Sequence, residues 1–312
     1  DVPIAMSVFT SSDIEDAGIQ RPEDFIALTP NVVMANTVNV GDTLVTIRGL
    51  TSTRDAESNF AFVVDGVLQT NPNAFNRELL DIAQIEVLKG PQGALYGRNA
   101  TSGAILITTK APSEESESTA VVGMGVNNST KLQFVNSGKM GENVYTRFSV
   151  STRDTDGEHT NVFSNSNNVD HFEDTTIRTR FLVDNGDSSW DLRAGISEAS
   201  GGTINFNAVF ALPAFQGFGT PGADQFYKDV NTHQFTYMFN VPPVNEQETA
   251  DISLKYTEDM GDGREFSAIL AYNHLEEFLL SDGTSGAFGG YFGVPSCAAS
   301  NTASNLALIN SL

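Results

Sequence analysis

The stretch Ile82-Ala-Gln-Ile-Glu-Val-Leu-Lys-Gly-Pro-Gln-Gly-Ala-Leu-Tyr-Gly-Arg-Asn-Ala-Thr-Ser-Gly-Ala-Ile-Leu-Ile-Thr-Thr-Lys110 organises the rest of the chain. Ile85, Val87 and the run to Lys89 predict a short strand, stopped by Gly90-Pro91. Gly93, Gly97 and Gly103 mark a compact turn region. A second strand follows from Ser102 to Lys110, apolar at Ile105-Leu106-Ile107 and β-branched at Thr108 and Thr109. Two strands around a glycine-rich segment raise the question of a phosphate cradle. The glycine spacing matches neither a P-loop nor a dinucleotide fingerprint, so nucleotide binding is set aside.

Taken with two earlier pieces, the stretch resembles the plug domain of TonB-dependent outer-membrane receptors. The pieces are Ile47-Arg48-Gly49, Val64-Asp65-Gly66-Val67, Ile85-Glu86-Val87-Leu88-Lys89-Gly90-Pro91, Leu95-Tyr96-Gly97 and Gly103-Ala104-Ile105-Leu106-Ile107-Thr108-Thr109-Lys110. They stand in the family's order over about seventy residues, which makes the signal specific. Two positions depart from it. Gln84 replaces an Arg that commonly joins plug-to-barrel ion pairs, and Leu106 replaces the usual Asn.

The 312 residues suffice for two domains. With 39 acidic against 17 basic side chains, the net charge of -22 argues against nucleic-acid binding, which needs a basic surface. It suits either solubility or work beside anionic lipopolysaccharide. Cys297 has no partner within the chain for a disulfide. No run of 18 apolar residues occurs, so a helical membrane protein is excluded while a β-barrel is not.

Residues 1–112 are expected to form a small α+β domain, the plug of the resemblance. Strands are predicted at Val2–Phe9, Thr43–Arg48 and Phe60–Asp65. One short helix is capped by Ser12 with Glu15, and another is opened by Pro22 and closed by Pro30. In the resembled family the loops between such strands form the floor of a ligand pocket. Arg54, Gln69, Asn71, Asn73, Phe75 and Tyr96 are the candidates for that role, with a solvated loop as the alternative for each. Arg48 and Glu86 fall on strand positions among apolar neighbours, where a charge needs a partner. The resemblance implies ion pairs to the barrel wall for them, and for Lys89 and Arg98. A pair internal to the domain is the other possibility.

After an acidic, serine-rich link, residues 113–312 change texture. Val144–Ser151, Ile177–Val183, Trp190–Ser197 and Ala250–Thr257 alternate apolar with polar side chains, the pattern of outer-membrane strands and also of a soluble sandwich. Short turns at 138–141, 185–187 and 260–263 alternate with long segments at 154–174, 199–248 and from 278 onward. That alternation favours a transmembrane antiparallel barrel with short periplasmic turns and long external loops. Roughly seven strands are expected, against about twenty-two in the resembled family. The chain therefore reads as a plug plus the first third of a barrel, both ends incomplete. The acidic loop with His159 and His171 lacks the order of a calcium or zinc site, and no metal or cofactor is expected. The Phe-rich loop (Phe206 to Phe239) can line a pocket or pack on itself.

No nucleophile–base motif is present, so an enzyme is not expected. The resemblance implies active import across the bacterial outer membrane of a scarce ligand: a ferric siderophore, cobalamin or a glycan. The TonB–ExbB–ExbD complex would drive the plug, and lipid and lipopolysaccharide would surround the barrel. A barrel that binds a surface partner without transport is the competing expectation.

Overall fold

The computed structural model describes residues 5–36, 40, 41, 43–53, 56–161, 165, 166, 169–202 and 243–280. Arg54, Cys297 and the Phe-rich loop lie outside the described residues.

An inner α+β domain comes first. It consists of β1 (Ala5–Thr10), α1 (Ser11–Asp16), α2 (Pro22–Ala27), β2 (Val32–Asn36), β3 (Thr43–Ile47), β4 (Leu50–Thr51), β5 (Phe60–Val64), β6 (Val67–Gln69), β7 (Ile82–Lys89), α3 (Gly93–Tyr96) and β8 (Gly103–Thr109). Five strands form one sheet in the order β1-β7-β8-β5-β6, with β5 and β8 parallel, while β2, β3 and β4 form a second. Phe25, Ile47, Ile85, Val87 and Ile105 are fully buried between these elements. The helices differ from expectation at their starts. β1 stays extended through Thr10, so Thr10 and not Ser12 caps α1, two residues earlier than expected, and its capping-box partner is Asp13. Glu15 is thereby free to pair with Lys110 at 3.0 Å, tying α1 to the end of β8. Pro22 opens α2 as expected, with Asp24 bonding back to the N–H groups of Gln20 and Arg21.

The remaining strands form one antiparallel meander: β9 (Glu117–Met124), β10 (Thr130–Lys139), β11 (Val144–Thr155), β12 (Phe172–Asp184), β13 (Ser188–Gly201), β14 (Val244–Asp259) and β15 (Glu265–Leu280). Tight connections join β10 to β11, β12 to β13 and β14 to β15, and define a turn end. The opposite, loop end carries the long connections from β11 to β12 and from β13 to β14, together with the brief one from β9 to β10. Because side chains alternate, the register sorts them cleanly. Phe134, Val150, Ile177, Ile196 and Ala250 share one rung on the outer face. The next residue along each strand faces the inner domain, and there Ser149, Ser151 and Arg147 are buried. Near the turn end Trp190 and Tyr256 stack at 4.5 Å on the outer face, with Phe266 6.3 Å beyond. An apolar outer band edged by aromatics is the arrangement of a lipid-facing wall. Among the described residues no helix is long and apolar enough to cross a membrane.

Candidate functional site

The site is the seam between the inner domain and the wall, and one segment builds most of it. After β6 the chain forms a 3-10 turn at Pro72–Ala74 and then lies along the wall as far as Asp81. Asn73 Nδ2 donates to Glu277 at 2.6 Å, and its carbonyl accepts from Gln247 Nε2 at 3.1 Å, both near the loop end of β14 and β15. Arg77 meets Asp251 at 2.9 Å and Thr249 at 3.2 Å. Glu78 is wholly buried, with Lys131 at 2.9 Å and Arg153 at 3.6 Å. Leu80 offers its carbonyl to Arg178 at 2.8 Å. Asp81 closes the run near the turn end, accepting from Arg147 Nε at 2.5 Å, Arg147 Nη2 at 2.7 Å and Ser149 Oγ at 2.6 Å. Asp81 holds φ at +58°, a left-handed conformation that Asp and Asn tolerate better than other side chains, and this aims its carboxylate at the wall.

A second contact lies at the ends of β5 and β8. Arg193 donates to the Asp65 carbonyl at 2.9 Å and stands 3.6 Å from its carboxylate. Arg180 donates to the carbonyls of Thr109 and Lys110, and both arginines share Asp191. Between the two contacts lies a cavity of about 110 Å³, with Phe62, Val64 and Ile107 on one side and Arg178, Arg193 and Asp251 on the other. A cavity this polar on one face has room and partners for several waters. Buried ion pairs add little net stability, yet removing one member leaves a stranded charge that costs roughly 3–5 kcal/mol. Such a seam is firm when all its partners are present and fails abruptly when one leaves.

Of the residues expected to line the ligand pocket, Gln69, Asn71 and Phe75 border one small cavity, while Asn73 and Tyr96 stand apart from it. Gln69 sits at the end of β6, where its amide meets that of Asn273 at 3.2 Å. Asn71 is exposed and caps the 3-10 turn, while Asn73 is engaged by the wall. Phe75 belongs to the core and also borders the seam cavity. It is buried edge-on against Phe60 and Phe62 at 5.1 and 5.0 Å, because the turn folds it under the sheet. Tyr96 is half-buried in α3, against the cluster of Ala61, Val63 and Leu88, at the end of the sheet away from the wall contacts. Burial pushes its phenol up, and the Glu86 carboxylate adds to the shift.

The residues expected to pair with the wall do not reach these seven strands. Arg48 leaves β3 with φ at +51°, is exposed, and lies against Gly90. Glu86 bonds Gln84 at 2.6 Å on its own strand. Lys89 is buried and ties Ser7 Oγ to the Pro30 carbonyl. Arg98 pairs with Glu57 at 3.0 Å on the surface. The pairs that do cross come from Asp65, expected only as a strand end, and from Arg77, Glu78 and Asp81, for which the sequence suggests no role. A signal was available. In a chain this acidic, the basic residues Arg147, Arg178, Arg180 and Arg193 recur on the polar side of consecutive strands, and need acids opposite them.

The TonB-dependent Receptor Plug Domain family model matches residues 1–104. The pesticin receptor of Yersinia pestis is 24% identical over 191 residues, covering 61% of this chain and 28% of that protein. The vitamin B12 transporter BtuB of Vibrio vulnificus is 26% identical over 179 residues, covering 55% and 28%. The fold is similar to that of the ferric yersiniabactin uptake receptor FyuA from Yersinia pestis, with a TM-score of 0.73, 19% identity, and coverage of 90% of this chain and 42% of that one. The chain thus spans little more than a quarter of the length of the curated relatives it matches.

Proposed function

We propose that this chain, a TonB-dependent receptor by its plug domain and barrel wall, takes part in active import of a scarce ligand across the bacterial outer membrane. In this reading residues 1–112 are the plug and 113–312 the N-terminal part of the barrel. The turn end faces the periplasm and the loop end the outside. The observation that carries the reading is the seam itself: a folded plug held against a lipid-facing wall by charged and polar ties that can be exchanged one by one. A domain meant only to brace a barrel would be served as well by apolar packing, which is cheaper to bury. A domain meant to leave needs ties that water can replace.

The ligand in this reading is a ferric siderophore, with cobalamin or a glycan as the other cargo classes among which the same family divides. Asn71, exposed at the loop end, and the candidates Arg54, Gln69, Asn73 and Tyr96 are the plug groups offered to it, while Phe75 serves the core beneath. Arg48, without an ion pair among the described residues, has its partner on barrel wall other than these seven strands, and Glu86, Lys89 and Arg98 support the same side of the plug. TonB, with ExbB and ExbD, supplies the pull.

The test is uptake by the complete receptor in iron-starved cells with and without TonB. Ligand-dependent iron accumulation that disappears without TonB supports the proposal. Binding at the cell surface with no accumulation in either strain would replace it with a surface receptor that does not transport.

A further inference from the structure

By register seven basic side chains fall on the inner face of β10–β13, and all but Lys139 at the turn end touch the plug: Lys131, Arg147, Arg153, Arg178, Arg180 and Arg193. Arg147, Arg180 and Arg193 are direct cross-strand neighbours on a single rung. Like charges opposite one another on a sheet destabilise it unless something compensates. Part of the compensation comes from the wall, through Asp191 between Arg180 and Arg193 and through Glu117 beside Arg147. The plug adds the carboxylates of Asp65, Glu78 and Asp81.

The wall carries more positive charge than holding the plug requires. Arg178 and Arg180 take only backbone carbonyls from the plug, which a neutral donor would serve. Arg178 opens on the cavity, with Arg77, Asp65, Asp81 and Asp251 as its charged surroundings. The basic residues also form a track. From the rung of Arg153 to that of Arg147 is six residues along β11, about 20 Å at the usual rise of a strand. Arg178 stands between those levels on β12. This concentration occurs in a chain whose net charge is -22.

We propose that this strip is the wall of the transport path and fits the receptor to an anionic cargo, a small chelate carrying carboxylates, catecholates or phosphates. The proposal rests on the import reading above. When the plug withdraws it removes Asp65, Glu78 and Asp81 along with its own Arg77, and the six bases of the strip are left with Glu117, Asp174 and Asp191 as the acids beside them, an excess of positive charge facing the lumen. An anion entering the gap replaces the departed carboxylates group by group, so the seam's ties and the cargo's track are the same side chains. A neutral cargo would leave the strip uncompensated at each step.

The experiment uses the complete receptor in cells that make no siderophore and lack other iron receptors. The probes are a ferric tris-catecholate and ferric citrate, both anionic, and a ferric tris-hydroxamate and cyanocobalamin, both without net negative charge. Binding is measured in de-energised cells and uptake in energised ones. The expected result is that an anionic probe is bound and taken up. Arg178→Gln keeps its binding but slows its uptake about fivefold, the scale of one solvated charge contact, and Arg178→Lys restores the rate. Uptake of only the uncharged probes, or equal uptake by wild type and Arg178→Gln, overturns the proposal while import stands. Binding and uptake lost together in Arg178→Gln at normal abundance make Arg178 a structural residue, which also overturns it. A wild type that binds probes and takes up none refutes the import reading itself.

Discussion

Asp81→Asn is the perturbation that separates a seam held by charge from one held by shape. Asn tolerates the left-handed backbone at φ +58°, so the segment keeps its path. What changes is the electrostatics. Asp81 and Arg147 are each 8% exposed, so solvent does not screen the pair. The amide keeps one acceptor and turns an N–H₂ toward the Arg147 guanidinium and the Ser149 hydroxyl, both of which donate to Asp81. Breaking a buried pair this way costs roughly 3–5 kcal/mol. Arg147 retains Glu117 at 2.6 Å, half-exposed, and the Ala111 carbonyl at 3.5 Å, so the low end applies. About 3 kcal/mol raises the undocked population of the 77–81 segment on the order of a hundredfold. Amide hydrogen exchange on the complete receptor in detergent reads this directly. Amides of residues 77–82 lose protection by that factor, while β7 and β8 inside the plug sheet keep theirs. Exchange at 77–82 within threefold of wild type would refute the claim that the Asp81 carboxylate holds the seam.

Further outcomes follow from single residues. In Gly41→Ala the new Cβ falls 2.0 Å from the Asn73 carbonyl oxygen and 2.3 Å from Gln247 Nε2, so the loop-end contact must open. Faster exchange at residues 71–76 with an intact plug core is the expected signature. Ile196→Arg puts a charge on the outer band at a side chain 57% exposed there, and costs about 2–4 kcal/mol if that band faces lipid. Reversible unfolding of the complete receptor in lipid vesicles measures it, and a change below about 0.5 kcal/mol would remove lipid from that face. Glu15 has its carboxyl held below the usual 4.5 by Lys110. The stabilisation of α1 by this pair is therefore complete above the unfolded value and disappears as pH falls through the folded one. Protection of α1 amides drops in that acid range in wild type, and Glu15→Gln flattens the dependence.

Both layers of the fold were legible because each rests on local pattern. Strand alternation at Trp190–Ser197 and Ala250–Thr257 and the punctuation at Gly90-Pro91 act within a few residues, and the structure follows them. The wall-facing charges were not legible, for a physical reason. Arg48 and Glu86 looked like the residues in need of partners because their neighbours in sequence are apolar. Burial, however, is decided by what packs from elsewhere. A left-handed turn carries Arg48 out to the surface, and Gln84 satisfies Glu86. Glu78 and Asp81 sit in a segment with loop composition, and only the wall delivered by residues 131–153 buries them. Phe75 shows the same effect from the other side, since this aromatic of a polar loop folds under the sheet and is buried there.

The segment Arg77–Asp81 connects these levels. Its charges alternate in role along the wall: Arg77 binds an acid of β14, Glu78 binds bases of β10 and β11, and Asp81 binds a base of β11. A plug displaced across the wall from β11 toward β12 would bring Asp81 from Ser149 to Arg178, which stands opposite it, an exchange of partners rather than a loss. Glu78 has no such substitute, because the residue opposite Arg153 on β12 is Asp174, another acid. On the proposed import reading, withdrawal would be gated at Glu78 and eased at Asp81. The cost of moving concentrates at the loop end, where an arriving ligand would be, and the turn end, where a pull would be applied, carries exchangeable ties. Glu78→Gln should consequently loosen the plug more than Asp81→Asn does, by exchange at residues 77–82. The reverse order would show that the ladder of arginines, and not the buried glutamate, sets the barrier.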